Sequence, residues 1–260
     1  MKTVDWVTSP WVQIPLSPLR AASTEAALRH SSTGVPEYQS GMGAVITVSG
    51  AIGGIGTSTL AYAIALQCPG RALLIDAQLS GAPLDLLVGA ESEPGTRWHQ
   101  IHVASASIDP ETVLSALPHH HGIAVLSSSR LGLVQPIALA HLVDATRTSV
   151  DLVVIDIASR SSAIDLLQPD EQVVTLTCTI EGVGGVLSAN CATSRLVVMR
   201  SVNEDFLPTQ IGKYLPNPQA GVVDHDRSVW LALRNRIPLP AKSSVMRTAR
   251  RVVESARDAA

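Results

Sequence analysis

The feature that most constrains this chain is a β-branched run that ends in a cluster of glycines and resumes as a helix. Ala44–Ser49 reads AVITVS, short, apolar and bounded by turn residues, which predicts a buried strand. The segment Gly50-Ala51-Ile52-Gly53-Gly54-Ile55-Gly56-Thr57-Ser58-Thr59 follows. Thr57–Gln67 then sets Leu60, Ala61 and Ile64 on one face, with Gly70 just beyond, which predicts a helix. Glycines let the backbone curl so that successive N–H groups turn inward onto an anion. The helix start adds the positive end of its dipole. A hydroxyl there, Ser58, is of the type that ligates Mg²⁺. The bland alternative is a Gly-rich turn that merely joins strand to helix.

Further runs follow in the same rhythm. Strands are expected at Arg71–Asp76, Ile123–Ser127, Asp151–Asp156, Gln172–Cys178 and Leu196–Arg200, with a weak seventh at Gly221–Val223. Helices are expected after Asp109-Pro110, where Asp is the N-cap and Pro the first helical residue, and at Pro136–Thr148, Arg227–Asn235 and Ser243–Asp258. The strands are apolar on both faces, as a parallel sheet covered by helices requires. The expected fold is therefore α/β, with three layers and a mainly parallel, doubly wound sheet of about seven strands. Hydrophobic residues make up 46% of the 260 residues and charged residues 16%, enough for a sizeable core. Only four Trp, three Tyr and one Phe are present, so aliphatic side chains must fill it.

Residues 1–43 are rich in Ser, Thr, Pro and Gly and are expected to be a flexible or docked extension, with Trp6 and Trp11 as docking points and a short helix at Ala21–His30. Residues 44–260 are expected to form the folded domain, with a basic C-terminal helix at 242–258. No apolar run is long enough to span a membrane, and the proline-broken N-terminus does not resemble a signal peptide. Cys68, Cys178 and Cys191 are odd in number and widely spaced, the pattern of reduced cytosolic thiols. A formal net charge of −3 and few aromatics argue against a nucleic-acid binder. His119-His120-His121 has no evident carboxylate partners and reads as an exposed loop before a metal site.

Two aspartates sharpen the reading of the glycine loop. Asp76 ends the LLID strand and Asp156 ends the VVID strand. Ligands of doubly wound sheets sit at the carboxyl ends of strands, so both carboxylates are expected to face the loop. There they would hold Mg²⁺ or orient a water, or simply cap the loops that follow.

The segments GGIGTSTLA, RALLIDAQLSGAPLDLLVG and DLVVID resemble the MinD/ParA superfamily of deviant Walker P-loop ATPases. More narrowly they look like the CpaE/TadZ-like branch, and are similar to actinobacterial CpaE-like proteins encoded near pilus and secretion ATPases, some called septum site-determining proteins. The stretch Gly89–Trp98, and Leu126-Ser127 after the third strand, look like the same branch. The resemblance covers residues 44–200 well and the remainder weakly.

The resemblance implies that Gly53, Gly54, Ile55, Gly56, Thr57, Ser58 and Thr59 form a phosphate loop for ATP or ADP. Ser58 and Asp156 would bind Mg²⁺, and Asp76 would be the catalytic aspartate that orients water. It also implies protein partners, among them a pilus or secretion ATPase or membrane machinery, a homodimer, and a cytoplasmic location reaching the inner face of the membrane through the basic C-terminal helix 242–258. That helix carries Val245, Met246, Ala249, Val252, Val253 and Ala256 as an apolar stripe, which suits packing on the sheet as well as lipid.

The departures are chemical. The strict pattern G-x-x-x-x-G-K-[ST] fails, because Ala51 replaces its first glycine and Thr57 its lysine; Ile52 replaces the signature lysine of MinD-like members. Gln78 stands where a second acidic residue is usual, and Ala158-Ser159-Arg160 where paired prolines are usual. A lysine about 4 Å from the phosphates is worth roughly 4 kcal/mol at an effective dielectric near 20, before desolvation. At about 1.36 kcal/mol per tenfold, its loss slows hydrolysis by several hundredfold or more unless another cation, such as Arg160, substitutes. The expected function is a nucleotide-binding, weakly or non-hydrolysing protein that positions a pilus, secretion or septum machinery. The alternatives are a slow Mg-ATPase that cycles from monomer to dimer, and a ParA-like DNA partition factor.

Overall fold

The computed structural model describes residues 42–78, 81–101, 108–128, 135–189 and 193–259. The expected extension at 1–43, with Trp6, Trp11 and the helix at 21–30, lies almost wholly outside the described residues, as does Cys191.

Eight strands form one sheet: β1 (Ala44–Gly50), β2 (Ala72–Ala77), β3 (His119–His120), β4 (Ile123–Leu126), β5 (Leu152–Ile157), β6 (Glu171–Leu176), β7 (Arg195–Met199) and β8 (Gln219–Val223). Their order is β3-β4-β2-β5-β1-β6-β7-β8. All pairs are parallel except β3 with β4. Eight α-helices flank them among the described residues: α1 (Thr57–Leu66), α2 (Leu84–Val88), α3 (Pro110–Ala116), α4 (Pro136–Thr146), α5 (Ala163–Leu167), α6 (Ile180–Ser188), α7 (Arg227–Arg234) and α8 (Ser244–Ala259).

Alternation along each strand divides the core in two. Ile46, Val48, Leu74 and Val154 face α1, α2, α7 and α8. Val45, Leu73, Ile75, Val153 and Ile155 face α3, α4 and α5, and Val174, Leu176, Leu196 and Val198 face α6. The expected three-layer α/β fold with a mainly parallel sheet is observed, with one strand more than the seven expected. That strand is made of His119 and His120, where the sequence pattern suggests an exposed loop. They pair with Ala124 and Ile123 at the sheet edge. No group of three or more potential metal ligands occurs among the described residues.

The C-terminal stripe resolves in favour of packing. Val245, Met246, Ala249, Val252, Val253 and Ala256 are all buried in the core, where α8 lies on α1 and β8. The folded helix keeps no apolar face for a lipid surface. No described helix is long and apolar enough to cross a membrane. Cys68 and Cys178 are free thiols, and burial pushes Cys178 up to about 11, so it stays protonated and inert at neutral pH.

Candidate nucleotide cleft

The sheet order places β1 at the centre, between β5 and β6. The chain leaving β1 turns to α1 on one face, while the chain leaving β6 turns to α6 on the other. Between such diverging connections a doubly wound sheet opens a crevice at the carboxyl ends of its strands. The crevice here measures about 660 Å³ and is lined by Gly50–Gly54, Gly56–Thr59, Asp76, Gln78, Gly81, Ala82, Leu87, Asp156, Ala158 and Ser159. That volume is of the size that holds a small ligand or cofactor.

The glycine loop forms the wall. Gly56 sits at the N-cap of α1 with φ 98°, a left-handed conformation that strains any residue with a Cβ. A Cβ at Gly56 would also meet Met199 Cε at 3.1 Å. Gly53 and Gly54 are exposed, with open space beside their α-carbons. No side chain caps α1 and its first turn has no acidic residue. The free N–H groups that begin every helix are thus left to solvent or to a bound anion.

Seven loop residues were expected to contact phosphate. Gly53, Gly54, Gly56, Thr57, Ser58 and Thr59 line the cleft; Ile55 does not, and packs against the core instead. Thr57, at the lysine position, has its hydroxyl 2.6 Å from the buried Thr175 hydroxyl on β6. Thr175 in turn donates to Ser49 O at 3.3 Å. This hydroxyl pair ties the start of α1 to the sheet and supplies no charge. Among the described residues neither Lys nor Arg lines the cleft, and Arg160 is exposed outside it. Asp226 caps α7 by accepting from Ser228 N at 2.8 Å.

The two aspartates lie side by side, Asp76 opposite Asp156 in the β2–β5 register. Their environments differ. Asp156 is 1% exposed. Burial raises its pKa, hydrogen bonds from Ser58 and then Gln78 pull it back, and the Asp76 carboxylate pushes it up again. Gln78 Nε2 donates to Asp156 Oδ1 at 2.9 Å. The Ser58 hydroxyl and the Asp156 carboxylate, the pair expected at Mg²⁺, therefore stand together at the cleft floor. Asp76 is 2% exposed and holds loops in place. Its Oδ1 accepts from Gln78 N at 3.1 Å, and its Oδ2 from Leu84 N at 2.9 Å, Ser128 N at 3.2 Å and Ser128 Oγ at 2.7 Å. The sequence does not show these partners, nor that the indole N–H of Trp98 donates to Asp76 O at 2.9 Å. Arg97 beside it bridges Asp85 at 3.0 Å and the Ala90 carbonyl at 3.1 Å, which fixes the loop after α2.

A buried carboxylate with a raised pKa costs stability at neutral pH. Its contribution is fully present below the unfolded value near 3.9 and is lost as pH rises through the folded value. Asn fits the same place, accepting from Gln78 and donating to Ser58. Asp156→Asn is expected to raise the melting temperature at pH 7 by about 2–4 °C, equivalent to ~1 kcal/mol in a chain of this size, and by less at pH 4.5. Calorimetry at the two pH values checks this.

This architecture, with a glycine loop between the central strand and an uncapped helix and carboxylates on neighbouring strand ends, is a P-loop type of α/β fold. Comparison with solved structures narrows it to the fold of the MinD and ParA ATPases. The chain is similar to a ParA family ATPase from Chlorobium tepidum TLS, with a TM-score of 0.65 and 16% identity over 84% of this chain and 97% of that one. It is similar to a chain of the MinC:MinD cell division protein complex of Aquifex aeolicus, with a TM-score of 0.63 and 17% identity over 81% and 96%. It is also similar to the septum site-determining protein MinD complexed with Mg-ADP from Pyrococcus horikoshii OT3, with a TM-score of 0.59 and 15% identity over 82% and 95%. At these identities the likeness is one of fold. No protein-family model matches the chain. Two uncharacterized proteins of Mycobacterium tuberculosis, from strains CDC 1551 / Oshkosh and ATCC 25618 / H37Rv, are each 42% identical over 90 residues, 35% of this chain and 25% of theirs. The matched stretch thus spans a quarter of the length of these curated relatives.

Proposed function

We propose that the chain is a nucleotide-binding protein of the MinD/ParA superfamily, in its CpaE/TadZ-like branch, that binds ATP or ADP with Mg²⁺ and hydrolyses weakly or not at all. The observation that carries this reading is the open glycine loop running into an uncapped helix at the centre of the sheet, beside a buried carboxylate and with neither Lys nor Arg among the described residues that line the cleft. Backbone amides of Gly53 to Thr59 would cradle the phosphates, and Ser58 and Asp156 would hold the metal, as the resemblance implies. The solved MinD with Mg-ADP supports that assignment by its fold.

Bound Mg²⁺ would supply the positive charge that lysines supply elsewhere. With Asp76 and Asp156 both lining the cleft, and neither Lys nor Arg among its described lining residues, the metal ion would be the chief positive charge for a polyphosphate there. Nucleotide affinity is therefore expected to depend strongly on Mg²⁺. Asp76, which the resemblance casts as the water-orienting aspartate, holds four donors already, so its part is chiefly to shape the cleft.

The protein would act in the cytoplasm through protein contacts, placing or regulating a pilus, secretion or septum machinery, with a homodimer as one of its states. The MinC:MinD complex is a precedent for such contacts within this fold. Because α8 is packed into the core, contact with membrane machinery would run through partners rather than through residues 242–258.

Parallel assays of ATP retention and phosphate release test the reading. Retained ATP is expected, with release several hundredfold below that of a lysine-bearing P-loop ATPase measured alongside. Ordinary turnover that Asp76→Ala abolishes would replace this reading with a cycling ATPase. Salt-sensitive binding to arbitrary duplex DNA would replace it with a partition factor.

A further inference from the structure

Helix α7 presents large apolar side chains to solvent. Ala232 is buried, and Val229 and Leu233 pack on the core. On the opposite side Trp230 is 51% exposed and Leu231 37%, and Ile237, just past the helix, is 54% exposed. Arg227, Leu231 and Arg234 are spaced i, i+4, i+7 and share the outward face. The Arg234 guanidinium lies 5.1 Å from the Trp230 ring centroid, which holds the indole in place on the surface. Arg236 pairs with Glu91 in the loop after α2, but among the described residues Arg227 and Arg234 form no ion pair. The neighbouring Asp226 is engaged with Ser228.

We propose that this face of α7 docks an acidic segment of a protein partner, with carboxylates on Arg227 and Arg234 and an apolar side chain against Trp230 and Leu231. Trp and Arg are the residues that most often anchor protein interfaces, and an unpaired arginine rim selects a partner of opposite charge. A second copy meeting the same face across a two-fold axis would set arginine against arginine. A lipid-surface helix separates its charged and apolar faces, whereas here both kinds of side chain point the same way on an eight-residue helix.

Fluorescence anisotropy with a fluorescein-labelled random copolymer of glutamate and tyrosine tests this on the full chain. Saturable binding is expected, weakened at least tenfold by the double substitution Arg227→Glu/Arg234→Glu and by Trp230→Ser, with unchanged circular dichroism. Leu231→Ser serves as a second apolar variant. Copolymer binding that none of these variants alters, or no copolymer binding at all, overturns the proposal. So does co-sedimentation with phosphatidylglycerol–phosphatidylcholine vesicles that the same variants abolish while the copolymer fails to bind.

Discussion

Gly56→Asp is expected to abolish nucleotide binding, raising the dissociation constant at least a hundredfold while the chain still folds. Three effects act together. The residue holds φ at 98°, which costs a non-glycine side chain about 1–2 kcal/mol. The new Cβ would press on Met199 Cε at 3.1 Å. The added carboxylate would sit at the start of α1, where a phosphate is proposed to bind, and repel it. Each loss of about 1.4 kcal/mol is tenfold in affinity, so about 2.7 kcal/mol of repulsion between the carboxylate and a phosphate suffices, while the strain lowers stability. Gly56→Ala separates the terms, since it carries the strain without the charge. It should lower the melting temperature like the aspartate variant yet bind nucleotide more tightly than that variant. Titration of a fluorescent ADP analogue, with circular dichroism as a folding control, measures both.

Asp76→Ala is expected to cause the largest loss of stability, on the order of 3 kcal/mol. The carboxylate accepts from Gln78 N, Leu84 N, Ser128 N and Ser128 Oγ from a site only 2% exposed. Removing it strands these donors, and unsatisfied buried donors cost about 1–3 kcal/mol each when no water replaces the partner. The melting temperature should fall by roughly 6–12 °C, at about 2–4 °C per kcal/mol for a chain of this size. Asp76→Asn keeps the acceptor oxygen and should lose about half as much. A fall of less than 2 °C in Asp76→Ala would show that these bonds do not hold the loops, and would return Asp76 to a purely chemical role.

What could be read in the sequence was local. Strands β1, β2, β5 and β7 are continuous aliphatic runs, and each was placed within a residue or two. The glycine loop was legible for the same reason, since its conformation is set by residues adjacent in the chain. Helices α2 and α5 have five residues each, too few to show a helical period. Helix α6 hides behind Gly182, Gly184 and Gly185, which read as turn residues, although the Thr179 side chain caps it by accepting from Gly182 N. Strand β3 is two histidines, and its pairing comes from the tight turn at His121-Gly122, where both residues have positive φ, rather than from strand propensity.

The partners that define the cleft were not legible, because they meet across the sheet. Thr57 finds Thr175 and Gln78 finds Asp156 over 118 and 78 residues of sequence. Only the parallel pairing of β1 with β6 and of β2 with β5 brings them together. The replacement of lysine by Thr57 was visible; that its hydroxyl would be drawn onto β6 was not. Trp98 and Arg97 were noted as a resemblance, but their work, holding Asp76 O and the loop after α2, shows only in three dimensions.

Loop amides and a metal ion are proposed to bind a nucleotide in this cleft, where neither Lys nor Arg is among the described lining residues. Calorimetric titration of ADP and ATP into the wild-type chain, with 5 mM Mg²⁺ as about a physiological excess and again with chelator, tests it most directly. One nucleotide per chain is expected to bind with Mg²⁺, at least tenfold more tightly than without it. Absence of heat and of any thermal stabilisation at millimolar nucleotide with Mg²⁺ would contradict it.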